Sequence, residues 1–289
     1  MVSYQWWCPH ERLPRSLQRE ASRPQAASRP IPGFLLLIAS ILLRSYVVQL
    51  FLRESLLRSQ LDSPSILPFL GIHVPPLGLP VIVTPWLQKG TIIQFLTSVD
   101  SPGSHRRRLL FEVAEGVAYL HENGFIHGEI LGENVLIDDD MHAQLAGFNS
   151  LDVESTKTFG KAEETLIVQV REEIKWTGSL RWMAPEKLFG DAPTRTYETD
   201  VFGFGRLCLE VFTMKIPYFD QSDASMLLKV MGGELPLRPS THDGQGTLIP
   251  DEWWTLMLRC WETDPSARPT MEDIVSTLKG GLFEVELSR

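Results

Sequence analysis

No lysine occurs in this sequence before Lys89, and Gly33 is the only glycine before Gly71. The early part of the chain therefore holds no glycine-rich loop able to wrap a phosphate and no ammonium group to grip one. Cysteine is equally scarce. Cys8, Cys208 and Cys260 stand far apart, form no metal-ligand or disulfide framework, and Cys208 lies in an apolar run that should be buried. That usage predicts a reducing cytoplasm. Basic charge is in deficit: the net charge is −9 and the pI about 5.3. Binding along a phosphate backbone needs a basic face, so no nucleic-acid partner is expected. Long apolar runs are missing too. Phe34 to Leu43 ends at Arg44, and extending it to Leu52 would place Arg44 and Gln49 in hydrocarbon, whereas a span needs about 20 apolar residues. A buried strand or helix is the expectation there, and a membrane is not an expected partner.

What remains is a chain of 289 residues, 43% hydrophobic, able to bury one large core or two lobes. Residues 1–44 differ from the rest. Between 9 and 32 they are rich in Arg, Pro, Ser and Ala with little to form a core, which predicts disorder. That composition also suits an organellar leader, which Glu11 and Glu20 oppose. From Phe51 to Leu61 apolar residues recur at helical spacing, and Ser63-Pro64 should end the helix. Val81-Ile-Val-Thr84-Pro85-Trp86-Leu87 reads as a strand and turn. Arg106 to Glu122 predicts a helix with Leu110, Val113, Val117 and Leu120 on one face, stopped by Asn123-Gly124. Val135-Leu136-Ile137 and Ala143-Gln-Leu145 read as a hairpin whose turn, Asp138-Asp-Asp140, is solvated rather than metal-binding. Residues 147–186 form a long segment of mixed polarity carrying Ser155, Thr156, Thr158, Thr165, Thr177 and Ser179, which predicts mobility. Asp200 to Thr213 is apolar nearly all round and should be a buried helix, and Thr270 and Gly280-Gly281 suit the start and stop of a last one. His73, His105, His121 and His142 look isolated, and are read as surface or packing residues.

Three tracts in order carry chemistry: His127-Gly128-Glu129-Ile-Leu131-Gly-Glu-Asn134, then Gly147-Phe148-Asn149, then Ala184-Pro185-Glu186. Together they resemble the H-R-D-L-x-x-x-N, D-F-G and A-P-E signatures of protein kinases, with several working residues replaced. Trp253 to Thr270 is similar to the terminal helices of the tyrosine-kinase-like type. The resemblance covers about residues 45–282 and implies an α+β, two-lobed protein kinase-like fold. Residues 45–90 would form a partial small lobe and hinge and 91–282 a mostly helical large lobe, followed by a tail over 283–289.

By that resemblance Glu129 stands at the catalytic base position, Asn134 is a magnesium ligand, and Gly147 replaces the metal-binding Asp, with Asn149 badly placed to substitute. Glu54 falls where the small-lobe helix carries the Glu that pairs with the phosphate-binding lysine, which has no counterpart here; a solvated residue beside Arg53 and Arg58 is the alternative. Thr84 would be the gatekeeper, Leu87 the hinge residue whose backbone meets adenine, and Leu136 the floor beneath it. Gly128 removes the arginine that would receive an activating phosphate. Asp200 would anchor the catalytic-loop backbone, Glu186 would pair with Arg268 in a pocket where both are largely desolvated, and His127 would pack rather than transfer protons. These losses imply a pseudokinase that works through signalling partners, binding ATP weakly and Mg2+ poorly. An active Ser/Thr or Tyr kinase is the alternative, and the composition change near Arg44 also fits a truncated or mis-spliced kinase fragment.

Overall fold

The computed structural model describes residues 2–4, 48, 51–76, 80–99, 103–148, 151–153, 179–189, 195–239 and 248–286. By compactness the chain divides into residues 1–61 with 68–86, and residues 62–67 with 87–289. The predicted disorder of 9–32, Asn149, and the hydroxyl residues from Ser155 to Thr177 lie outside the described residues.

In the smaller unit the helix predicted from Phe51 occupies residues 51–58 (α1). It closes on the Ser59 N–H to Ser55 carbonyl bond and two following turns. Three strands make an antiparallel sheet in the order β1-β3-β2, where β1 is Val2–Tyr4, β2 is Gly71–His73 and β3 is Val81–Pro85. β3, rich in β-branched residues, takes the central place. Thr84 on it is buried. The β1 strand was not anticipated: three residues ahead of an Arg- and Pro-rich stretch carry no period to read.

The larger unit is mostly helical. Thr91 caps α2 (Ile92–Ser98) through a reciprocal box with Gln94. Then α3 (Gly103–Glu122) buries Leu110, Val113, Val117 and Leu120 and ends at Gly124, where φ is +78°. The left-handed turn there is the predicted glycine stop. Two short pairs follow: β4 (Phe125–Ile126) with β7 (Asp152–Val153), and β5 (Val135–Ile137) with β6 (Ala143–Leu145). The hairpin turn is closed by Asp138, whose carboxylate accepts the His142 N–H at 2.8 Å, while Arg108 donates to the Met141 carbonyl. With the Asp138 N–H donating to His142 O and the Met141 N–H to Asp138 O, the acidic turn is held by hydrogen bonds of side chain and backbone alike. Residues 62–67, placed with the small lobe on sequence grounds, bond to the hairpin: Leu67 N–H to Leu145 O and Leu145 N–H to Ser65 O, both 2.8 Å.

After α4 (Pro185–Phe189), α5 (Tyr197–Thr213) runs through the middle of this unit. Thr196 caps it, and every residue from Thr199 to Phe212 is buried. α6 (Asp223–Met231), α7 (Asp251–Cys260) and α8 (Met271–Glu286) complete the unit. α7 crosses α5 at Gly205, where a Cβ would stand 2.6 Å from Trp261 Nε1 and 2.8 Å from Cys260 Cβ. Only glycine allows that approach. Thr270 caps α8 with Asp273 as predicted. The predicted stop at Gly280-Gly281 is corrected: α8 continues to Glu286, because a glycine in a helix lowers its stability by about 1 kcal/mol without obliging the chain to turn.

Candidate active site

Asp200, in the first turn of α5, organises the loop after β4. Its Oδ2 accepts the His127 N–H at 2.8 Å and its Oδ1 the Gly128 N–H at 2.7 Å, while His121 Nε2 lies 3.0 Å from Oδ2. Burial alone would push this carboxyl up; the hydrogen bond and charge of His121, with His127 and the Gly128 N–H, outweigh it and hold the group below its ordinary value. His121 is therefore not the isolated residue the sequence suggested. It sits over Tyr197, ring centroids 4.5 Å apart, and ties α3 to α5. His142 likewise has a partner, Glu112 Oε1 at 2.9 Å.

His127, fully buried, bridges two strands of the loop. Its Nε2 meets the Ala146 carbonyl at 2.8 Å and its Nδ1 accepts the Glu129 N–H at 3.2 Å. Held at both ring nitrogens, the imidazole is fixed in orientation, which suits a structural role.

That framework holds Glu129 half-buried. Ser179 Oγ donates to its Oε1 at 3.2 Å, and its carbonyl accepts Asn134 Nδ2 at 2.8 Å. Gly147 has φ +74°, and a Cβ placed on it would collide with the Asn134 carboxamide. The space a side chain at 147 would need is filled by the side chain of 134. Leu136, half-buried on β5, lies beside the turn after β3: Thr91 bridges to Leu136, the Ile137 N–H donates to Gly90 O at 2.9 Å, and the Gly90 N–H donates to Leu87 O. Leu87, Leu136, Asn134, Glu129 and Gly147 are thus brought into one unit. Glu54 belongs to the smaller unit, where its carboxylate lies 3.8 Å from Arg58 across one turn of α1.

Two buried charged side chains, Arg268 and Glu210, brace the surrounding loops. Arg268, its side chain fully buried, makes a two-pronged bond to Glu186 at 2.6 and 2.9 Å and also donates to Glu198 O and Glu262 O. The predicted pairing is present, with one correction: the Glu186 side chain keeps 28% exposure, so only the arginine is desolvated. Glu210, near the end of α5, accepts the Gly132 N–H at 3.0 Å and the Trp182 indole N–H at 2.9 Å on one oxygen. Burial pushes its carboxyl up to about 7, against the pull of those two donors.

This arrangement of loop, hairpin and helix is matched at the level of sequence by the family described as protein tyrosine and serine/threonine kinase, over residues 43–278. The chain belongs to that family. Its members bind ATP and Mg2+ and phosphorylate proteins. Among relatives, receptor-interacting serine/threonine-protein kinase 1 of Homo sapiens is 30% identical over 229 residues, covering 77% of this chain and 33% of its own length. A probable serine/threonine-protein kinase, drkD, of Dictyostelium discoideum is 29% identical over 238 residues, 81% of this chain and 17% of its own. A putative serine/threonine-protein kinase/receptor of Acanthamoeba polyphaga mimivirus is 28% identical, covering 79% and 12%. The chain thus spans a third or less of the length of these relatives. Its type is the tyrosine-kinase-like serine/threonine one, and its fold is the two-lobed α+β kinase fold. No helix among the described residues is long and apolar enough to cross a membrane.

Two site residues carried no sequence signal. Lys187 donates to the Gly128 carbonyl at 2.8 Å, yet a lysine on a short helix reads as solvated. Glu210 looks like an interruption in an apolar run until Trp182 and Gly132 arrive from 28 and 78 residues away.

Proposed function

We propose that this kinase-family chain is a pseudokinase, acting in the cytoplasm through signalling partners and binding nucleotide weakly. The observation that carries the reading is Gly147, whose side-chain space is closed by Asn134. For a magnesium ion the residues present do not fit. Gly147 offers no side-chain oxygen, and the Asn134 amide is neutral and bonded to Glu129 O. Phosphoryl transfer relies on metal ions and a lysine to neutralise the phosphates and on a carboxylate to orient the attacking hydroxyl. Here the lysine has no counterpart before Lys89. Glu129 keeps a carboxylate, but its extra methylene displaces the charge by roughly 1 Å, a shift able to lower the rate about 100-fold.

Adenine recognition asks less. Leu87 supplies backbone groups and Leu136 an apolar surface, so ATP retains a foothold without Mg2+. Thermal-shift titration with ADP, with ATP, and with ATP plus Mg2+ tests this: small, nearly equal shifts are expected, and a much larger shift with Mg2+ would reveal a metal ligand outside Asn134.

The second reading, an active protein kinase, draws on one observation. Glu129 is a carboxylate on a loop still anchored by Asp200, with Ser179 hydroxyl in reach. A displaced base on a rigid loop is compatible with a slow enzyme.

A further inference from the structure

Away from the nucleotide-type site, the larger unit contains a half-open cavity of about 500 Å³ between the end of α5, the following loop and the segment after α6. Its floor is made by Leu209, Phe212 and Ile249, all buried. Around the mouth Ile216, Phe219, Leu235, Leu237 and Leu248 are exposed, and Leu237, at 90%, is the most exposed large apolar side chain among the described residues. Exposed apolar residues scattered singly are ordinary, but a group gathered around one opening marks a contact surface. The walls are held from behind. Arg181 donates to Pro217 O at 3.0 Å and Gln221 O at 2.8 Å and pairs with Asp223 at 2.6 Å, while the Tyr218 hydroxyl donates to Glu234 O at 2.6 Å and so joins the loop after α5 to the segment after α6. The opening is therefore pre-formed.

The charges on this face cancel. Lys215 and Lys229 line it beside Asp220 and Glu234, two of each sign, and Arg238 is matched by Asp251. Among the described residues no ion pair joins the four: Lys215 stacks 4.2 Å over the Phe219 ring, and the Asp220 carboxylate accepts the Gln221 side-chain amide at 3.1 Å. A chain of net charge −9 thus presents an apolar face whose own charges sum to zero and stay unpaired. An ion of either sign would leave two of these charges unanswered; a second copy of the face answers all four. A two-fold contact between identical faces needs a surface that complements itself, because residue i meets j while j meets i. A hole, a projecting apolar side chain beside it, and equal charges of both signs meet that requirement.

We propose that this face docks a second copy of the chain. Across a two-fold axis Leu237 of each copy enters the cavity of the other, and the lysines of one copy meet the carboxylates of the other around an apolar centre. An apolar core inside a charged rim is the usual anatomy of a protein interface. The surface lies outside the nucleotide-type site, so this pairing is independent of the phosphotransfer question.

Sedimentation equilibrium of the full chain from about 1 to 100 µM tests it. The average mass is expected to rise from 32.7 kDa toward twice that value. Leu237→Asp, at a position exposed in the single chain, should raise the dissociation constant about 30-fold, as loss of a central anchor does, and leave the melting temperature of the monomer unchanged. A charge exchange examines the rim. Lys215→Glu with Lys229→Glu makes the face acidic, and Asp220→Lys with Glu234→Lys makes it basic; each double variant alone should stay monomeric, whereas their one-to-one mixture should dimerise, because every charge contact across the axis then joins opposite signs. A mass of 32.7 kDa at every concentration, Leu237→Asp dimerising as tightly as the unaltered chain, or a mixture no more associated than its components would overturn the proposal. Saturable one-to-one uptake of dodecanol by a chain that stays monomeric would overturn it as well, and would assign the cavity to a small apolar ligand.

Discussion

Gly147 is the residue on which the chemistry turns. It lacks the oxygen that a metal site would need, and its left-handed φ together with the Asn134 carboxamide makes it hard to replace. Restoring the acid of the family pattern by Gly147→Asp should therefore fail as a repair. The new Cβ must displace Asn134 from its bond to Glu129 O, and a non-glycine residue at positive φ adds strain, so a loss of about 1–3 kcal/mol is expected. Denaturant unfolding and Mg2+-dependent ADP binding check it. Unchanged stability with newly gained magnesium dependence would show that Asn134 yields readily and that glycine alone had silenced the site.

At the scale of elements, α5 is the post to which the loops are tied, by Asp200 at one end and Glu210 at the other. Glu210 predicts a pH dependence. Its pKa is raised to about 7 from an ordinary 4.5, so the folded state favours the protonated acid. The stability it contributes is fully present below pH 4.5 and is lost as pH rises through 7. At 1.36 kcal/mol per pKa unit the loss is about 3 kcal/mol by pH 8. Glu210→Gln, which keeps an acceptor for Gly132 and Trp182 but cannot ionise, should remove this slope; parallel pH profiles for the two proteins would mean Glu210 does not titrate in this window. Arg268 and Glu186 make a second prediction. Glu186→Ala strands a fully buried guanidinium and Arg268→Ala removes four hydrogen bonds, so Arg268→Ala should lose about 3–5 kcal/mol. Because the double variant leaves no guanidinium stranded, it should lose less than the two singles added together. Strict additivity in unfolding free energies would contradict the pairing.

Across the whole molecule, the large lobe was legible because its signals are local. The periodic face of α3, the Asn123-Gly124 stop, the hairpin with its acidic turn and the Thr270 cap each follow from neighbouring residues. Asp200 and the Glu186–Arg268 pair became legible only through the family resemblance, since their partners lie 72 and 82 residues away. Arg206 was hidden for the opposite reason. A lone base in a helix that reads as apolar gives no hint that Phe202, Tyr218 and Trp261 will close around it. Likewise α8 passes two glycines because its contacts with α3, rather than local propensity, decide its length.

Those parts combine into one claim: the lobe is well specified while the phosphate-handling groups are not. The most direct measurement is incubation of the purified chain with labelled ATP, Mg2+ and generic protein substrates, beside the Glu129→Ala variant. The account predicts incorporation no greater than that of Glu129→Ala for both the chain itself and the substrates; magnesium-dependent labelling that disappears in Glu129→Ala would contradict it.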